Sequence, residues 1–294
     1  MEPGKYVVAV SGGVDSVALL HLLHHQNTIS RVRPWKMVVG HFDHGIRDDS
    51  KANCDFVAKL TDEIGLKFYS AEGKLGPKAS EATAREARYK FLRKVKTETG
   101  SKAIITAHHQ DDLIETILIN ILRGTGRKGL SPMRNSKDVT RPLLGLPKKE
   151  ILQYAKKHDL NWWEDETNLD QTYLRNYLRH SVLPKLTAIQ RQEILDLASS
   201  SQSRNASIDS ILSSLIGEKG MVDRQWFASL PHNVASEVMA EWLRTKQISF
   251  DKKTIAHLSI SAKTLNPGST VQISQGWELL IGKNSIRLHR RKSV

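Results

Sequence analysis

The chain reads as an α/β protein: a parallel sheet with helices on both faces, followed by a smaller, mainly helical domain that ends in a short β-meander. Three observations predict this. Up to about residue 185, short β-branched runs alternate with longer segments of helical period. The first run, Val7–Val10, passes through Ser11-Gly12-Gly13 directly into a helical pattern. After Pro184 the alternation stops, and helical periodicity continues until the turn at Asn266-Pro267-Gly268.

Taken in order, the expected strands are Tyr6–Val10, Met37–Phe42, Lys67–Ser70 and Ala103–Thr106. The expected helices are Val17–His25, Lys51–Ile64, Glu81–Thr99 and Leu113–Leu122. Pro147, favourable in a first turn, opens another with Ile151, Leu152 and Ala155 facing inward. Thr172–Leu183 reads as one more helix. Beyond it, Ile189–Leu215 forms one long or broken helix, and Ala235–Thr245 and Lys252–Ser261 two others. Val271–Ser274, Trp277–Ile281 and Ser285–Leu288 alternate as short antiparallel strands. The expected domains are residues 1–185 and 186–294.

The 294 residues carry 44 Lys and Arg against 31 Asp and Glu, a formal net charge of +13 that favours a polyanionic partner. Ten of the cations fall between Arg123 and Lys157, including Arg134, Arg141, Lys148 and Lys149, and only Asp138 and Glu150 oppose them. Arg287, Arg290, Arg291 and Lys292 form a second group. No apolar run approaches the roughly 18 to 20 residues of a membrane span, and the N-terminus lacks a signal-peptide pattern. Cys54 is the single cysteine, which excludes an intrachain disulfide and a cysteine zinc site. A cytoplasmic protein without a membrane partner is expected.

Ser11-Gly12-Gly13-Val14-Asp15-Ser16 places free backbone N–H groups at the carboxyl edge of the sheet and at a helix N-terminus. Glycines let phosphate oxygens approach the backbone, and the Ser11 and Ser16 hydroxyls can donate to the same oxygens. Asp15 would repel a bare phosphate, so it either caps backbone N–H groups or holds a metal riding on the phosphates. The Walker pattern is absent. A G-x-G-x-x-G at Gly124–Gly129 follows a helix rather than a strand, so a dinucleotide site fails on context and a flexible basic segment is expected there.

A second constellation, Thr106-Ala-His-His-Gln-Asp-Asp-Leu-Ile-Glu-Thr116, runs from a strand end into a helix. Asp111, Asp112 and Glu115 share its first turn, and His108 and His109 precede them. One or two acidic residues suit the helix dipole. The surplus suits magnesium ligation or the orientation of a cationic nucleophile.

Ser11–Ser16 resembles the S-G-G-x-D-S loop of the N-type ATP pyrophosphatases, a Rossmann-like superfamily that cleaves ATP between its α- and β-phosphates. Within it, the chain resembles the tRNA(Ile)-lysidine synthases. The resemblance is carried by Ser11–Ser16, His41-Phe-Asp-His-Gly-Ile-Arg47, Glu81–Tyr89, the His-His-x-Asp-Asp segment, Arg123–Met133, Arg141-Pro-Leu-Leu, Glu164-Asp-Glu-Thr-Asn168 and Tyr173–Arg179. These motifs span nearly all of the first domain.

The resemblance implies ATP as substrate with Mg2+, and as partners free L-lysine and an isoleucine tRNA with a CAU anticodon. A homodimer is an arrangement it allows. Adenylation of the 2-carbonyl oxygen of the wobble cytidine would release pyrophosphate, and the lysine ε-amine would then displace AMP to give lysidine. Ser11, Gly12, Gly13, Val14, Asp15 and Ser16 would bind ATP, and Asp15 and Asp111 would hold the metal. Arg85 and Arg88 would stabilise the leaving pyrophosphate, unless they pair with Glu81 or Glu86. Asp112 and Glu115 would order the metal or orient the amine. Arg175, with Arg179, would contact the adenylate or the anticodon backbone. The His41–Arg47 loop would border the pocket, while Trp162, Trp163, Trp226 and Trp242 belong to the core. Longer members of the family carry a further C-terminal domain, so a short form or a truncated piece is expected here.

Three rivals stand against this reading. A tRNA 2-thiolating enzyme needs more cysteine than Cys54 supplies. Amide-forming GMP or NAD synthetases do not call for so basic a chain. An idle RNA-binding module has no chemical use for Asp111, Asp112 and Glu115.

Overall fold

A computed structural model describes residues 2–29, 35–45, 50–73, 76, 80–133, 135–164, 174–216 and 221–291. Of the positions singled out above, Ile46, Arg47, Arg134, residues 165–168, Thr172, Tyr173 and Lys292 lie outside the described residues. The chain divides into one unit of residues 1–199 and another of residues 200–294.

The first unit is built on β1 (Lys5–Ala9), β2 (Lys36–Asp43), β3 (Lys67–Glu72), β4 (Ala103–Ile105) and β5 (Val139–Thr140). All pairs are parallel, in the order β3-β2-β1-β4-β5. Parallel strands buried on both faces need apolar residues at consecutive positions. β1 shows why: Val7 and Val8 are both fully buried, on opposite faces. Val8 packs with Leu19 and Leu20 of α1 (Val14–Ile29), Val57 of α2 (Ser50–Glu63) and Ile151 of α5 (Lys148–Lys157). Val7 packs with Val38 and with Tyr89, Leu92 and Val95 of α3 (Glu81–Glu98). Gly40 permits that packing, since a Cβ there would lie 2.8 Å from a Leu92 methyl. The two-residue β5 is too short to show a period, and the sequence reading missed it.

The chain winds from β1 to β2 and β3 on one side, then to β4 and β5 on the other. The loops that leave β1 and β4 therefore diverge at the carboxyl edge, the topological switch point where such sheets bind ligands. Helices α1 and α4 (Gln110–Leu122) begin there.

The expected single helix over Thr172–Leu183 is broken, in the described residues, into α6 (Leu174–Tyr177), a π turn (Leu178–Val182) and a 3-10 turn (Leu183–Lys185). Pro184 lacks the N–H to continue a helix. Leu178 and Leu183 pack with Ile114 and Ile119 of α4 and with Ile194 and Leu195 from the first turns of α7 (Ala188–Ile216).

In the second unit, α8 (Arg224–Ser229), α9 (His232–Thr245) and α10 (Lys252–Thr264) share a core with an antiparallel sheet. Its strands are β6 (Met221–Asp223), β7 (Thr270–Gln272), β8 (Trp277–Ile281) and β9 (Ser285–Arg290), in the order β6-β9-β8-β7. The meander was legible, but the three-residue β6 and the helix after it were not. Trp242 and Phe227 are fully buried, and Trp226 packs against the same core. No helix among the described residues is long and apolar enough to cross a membrane.

Candidate active site

The loop after β1 is held open by its own side chains. The Ser11 N–H donates to Ser16 Oγ (3.1 Å), and Ser16 Oγ donates to the Gly13 carbonyl (2.8 Å). The N–H groups of Ser16 and Val17 also donate to Gly13 O, which starts α1. Among the described residues, no hydrogen bond takes up the N–H of Gly12, Gly13 or Val14. Such a row of free donors at a helix N-terminus suits phosphate oxygens. Gly12 has φ +91°, and a Cβ there would collide with the Asn53 amide. Asn53 Nδ2 donates to the Ser11 carbonyl (3.0 Å), and the Trp163 N–H to the Gly12 carbonyl (2.9 Å). The loop is thus braced from α2 and from the segment after α5.

Opposite it, α4 begins with a capping box. The Asp112 N–H donates to His109 Nδ1 (3.4 Å), and the His109 N–H to Asp112 Oδ2 (3.0 Å). The other ring nitrogen, His109 Nε2, lies 3.6 Å from Asp15 Oδ2 and 3.4 Å from Asp112 Oδ2. Asp15 Oδ1 also accepts from Lys148 Nζ at 2.6 Å. Burial pushes the Asp15 pKa up, but His109 and Lys148 outweigh it and hold the carboxyl below its usual value. Burial likewise works against the protonated His109, yet Asp15 and Asp112 raise its pKa overall.

The carboxylates of α4 have distinct settings. Glu115 is fully buried and is gripped by Arg179, with burial raising its pKa against the pull of that guanidinium. Arg179 Nη2 also donates to Asp112 Oδ1 (3.3 Å). Asp111 is turned aside, its Oδ1 accepting from the Lys148 N–H (3.3 Å) and from Arg191 Nη1 (3.2 Å). Arg175 pairs with Glu81, donates to Thr116 Oγ1 (3.3 Å), and has Nε 3.7 Å from Glu115 Oε2.

Because Glu81 is taken by Arg175, it is not the partner of Arg85 or Arg88. Among the described residues neither arginine pairs with a carboxylate. Both guanidinium groups lie against the Tyr89 ring, 5.0 and 5.6 Å from its centroid. Burial and the neighbouring Arg85 lower the Arg88 pKa. Beside them, burial together with Arg88, Arg85 and Arg141 pushes the His108 pKa down to about 3, so its imidazole is neutral. Arg85 and Arg88, gathered without a partner carboxylate among the described residues, form a place for an anion.

The residues of the first unit match a family model described as a PP-loop domain, over residues 1–186. A tRNA(Ile)-lysidine synthase from Synechococcus is 30% identical over 291 residues, covering 94% of this chain and 82% of the relative. The chain belongs to the PP-loop family of tRNA(Ile)-lysidine synthases. The enzyme of that name from Nitrosomonas europaea is 40% identical over 198 residues, 63% of this chain and 42% of that protein. The chain thus spans under half the length of some curated relatives. Among solved structures, the U34-tRNA thiolase NcsA from Methanococcus maripaludis matches with a TM-score of 0.56 at 17% identity, over 68% of this chain and 71% of that one. It shows the shared fold alone.

Within this lysidine-synthase fold, Ser11–Ser16 faces Asp112 and its neighbours across the switch point. The structure adds residues that the sequence reading left without a role here, Lys148, Asn53 and Arg191, and makes His109 of the acidic constellation the link between Asp112 and Asp15. Lys148 was visible only as one cation in a basic run, since nothing in a linear pattern shows that it reaches α1. Arg141, from the same run, is buried, with Nη1 donating to the Met133 carbonyl (3.4 Å). His41 is buried too, its Nδ1 2.9 Å from the Val10 carbonyl. Trp162 packs in the α1 face of the core, and the Trp163 ring lies 6.5 Å from Phe56. The Gly124–Gly129 segment makes a turn and then a 3-10 helix (Arg127–Leu130), closed by Asn120 Nδ2 on the Gly129 carbonyl (2.9 Å).

Proposed function

We propose that the protein ligates lysine to the 2-carbon of the wobble cytidine in a CAU-anticodon isoleucine tRNA, using ATP. The observation that carries this is the convergence, at one switch point, of the loop whose N–H donors are unused among the described residues, of Arg85 and Arg88, which pair with no carboxylate among them, and of the Asp112–Arg179–Glu115 cluster. Phosphate cradle, anion sink and amine-binding carboxylate are the three parts that the two-step reaction requires.

In the first step the cytidine 2-carbonyl oxygen attacks the α-phosphorus, and the bond to the β-phosphate oxygen breaks. Gly12, Gly13 and Val14 donate to the phosphates, and Arg85 and Arg88 take up the charge leaving as pyrophosphate. In the second step the lysine ε-amine attacks C2, loses a proton and expels AMP. Asp112, partly exposed, is the carboxylate that receives the amine and its proton. Glu115, fully covered, positions Arg179 and Arg175 from below. The tRNA backbone draws on the exposed cations of the first unit, including Arg123 and Lys149, and on Arg287, Arg290 and Arg291 of the second.

The deciding experiment is pyrophosphate release from ATP with a CAU-anticodon tRNA(Ile) transcript, with and without lysine, followed by mass analysis of the wobble nucleoside. A lysine-dependent mass gain that is lost in Asp112→Ala supports the reading. Pyrophosphate release without an adduct overturns lysine as the nucleophile.

A further inference from the structure

The carboxylates that the sequence offers as protein ligands for magnesium, Asp15 and Asp111, are each held by protein cations. Asp15 Oδ1 has the Lys148 ammonium at 2.6 Å, and Asp111 Oδ1 has Arg191 at 3.2 Å and the Lys148 N–H at 3.3 Å. An ion bound between them would have to compete with an ammonium and a guanidinium for the same carboxylates. Among the described residues, no three His, Cys, Asp or Glu side chains are grouped as an ion would require. The donor set does not fit a metal held by the protein.

We propose that Lys148 is the fixed cation of the phosphate site, touching the triphosphate itself, and that Asp15 is its positioning counter-ion rather than a metal ligand. This rests on Ser11–Ser16 being the ATP loop. Lys148 is the first residue of α5, and three anchors place it. Its N–H is fixed on Asp111, the chain before it is tied to α4 by the Gln110 N–H on the Leu146 carbonyl (3.0 Å), and its Nζ reaches the first turn of α1. An ammonium has three N–H donors, and Asp15 uses one, leaving two for oxygens beside the Gly12–Val14 donors. The pairing also explains why a phosphate loop tolerates an aspartate. Lys148 cancels its charge on Oδ1, while His109 stands at 3.6 Å from Oδ2. Any magnesium carried on the oxygens of ATP would then keep those oxygens and water as its ligands.

The test is equilibrium binding of ATP to the full chain, in EDTA and in excess Mg2+, for the wild type, Lys148→Met, Lys148→Arg and Asp15→Asn. The wild type should bind ATP in EDTA. Lys148→Met should bind it about tenfold to a hundredfold more weakly in both buffers, the loss of one charged hydrogen bond. Lys148→Arg should recover most of that loss, which separates charge from misfolding. Asp15→Asn should weaken binding in the wild type and add little to Lys148→Met, with no rise in the Mg2+ needed for half-saturation.

Wild-type ATP affinity in Lys148→Met overturns the proposal, as does strict dependence of wild-type binding on Mg2+. So does a Mg2+ requirement that rises in Asp15→Asn whether or not Lys148 is present. ATP affinity that follows Lys148 while no lysidine forms supports the proposal and overturns only the choice of acceptor.

Discussion

Arg179 grips Glu115 through one edge of its guanidinium, with Nε 2.8 Å from Oε1 and Nη2 3.0 Å from Oε2. Glu115 is fully buried, whereas a third of the Arg179 side chain remains exposed. Removing the arginine leaves the buried carboxylate with Arg175 Nε alone, at 3.7 Å, so Arg179→Ala should cost about 3 kcal/mol, the low end for a broken buried pair. The double variant Arg179→Ala/Glu115→Gln should regain part of it, because the amide carries no charge. Urea unfolding of the two variants checks this, and equal loss in both would contradict it.

Arg88 has the opposite balance. Burial and Arg85 both disfavour its charge, and no carboxylate offsets it among the described residues. Arg88→Met should therefore leave the melting temperature unchanged or raise it, while pyrophosphate release falls about a hundredfold. Thermal unfolding and single-turnover release on the same preparation would show the two moving apart. A parallel loss of stability would mean that Arg88 is structural.

His108 makes stability depend on pH. Its folded pKa of about 3 lies below its ordinary value of 6.5, so between those values the unfolded chain binds a proton that the folded one does not. The contribution is fully present above pH 6.5 and is lost as the pH falls toward 3. The urea midpoint should drop between pH 7 and pH 5, and drop less in His108→Gln. The comparison isolates His108 from the other titrating groups.

What the sequence disclosed and what it hid follow from physics. The strands β1, β2 and β4 were legible because burial on both faces forces apolar runs such as Val7–Val10, and α3 because Tyr89, Leu92 and Val95 recur at helical spacing, whereas the edge strand β3 is nowhere fully buried. Strands β5 and β6, with two and three residues, have no period to read. At the site, local motifs gave Ser11–Ser16 and Asp111–Glu115, since a loop and a helix start are local. The pairings that fix their chemistry span 133 residues from Asp15 to Lys148 and 64 from Glu115 to Arg179. Such contacts leave no trace in spacing, and both arginines of the Tyr173–Arg179 motif turned out to be committed to carboxylates of the protein.

The two glycines of the phosphate loop should separate fold from function. Gly12 sits at φ +91° against Asn53, so Gly12→Ala meets both a left-handed strain and a collision, and should lose about 1 to 2 kcal/mol of stability along with ATP binding. A Cβ on Gly13 would meet only Ser11 Oγ, at 3.7 Å, which is ordinary contact. Gly13→Ala should fold with stability within about 1 kcal/mol of the wild type, since it also lowers the entropy of the unfolded chain. Its methyl would nevertheless stand where phosphate oxygens must approach the backbone. ATP affinity measured on the folded Gly13→Ala protein then reports that approach directly. A drop of about tenfold or more would fit phosphate against the Gly13 N–H, and unchanged affinity would move the phosphates away from this loop.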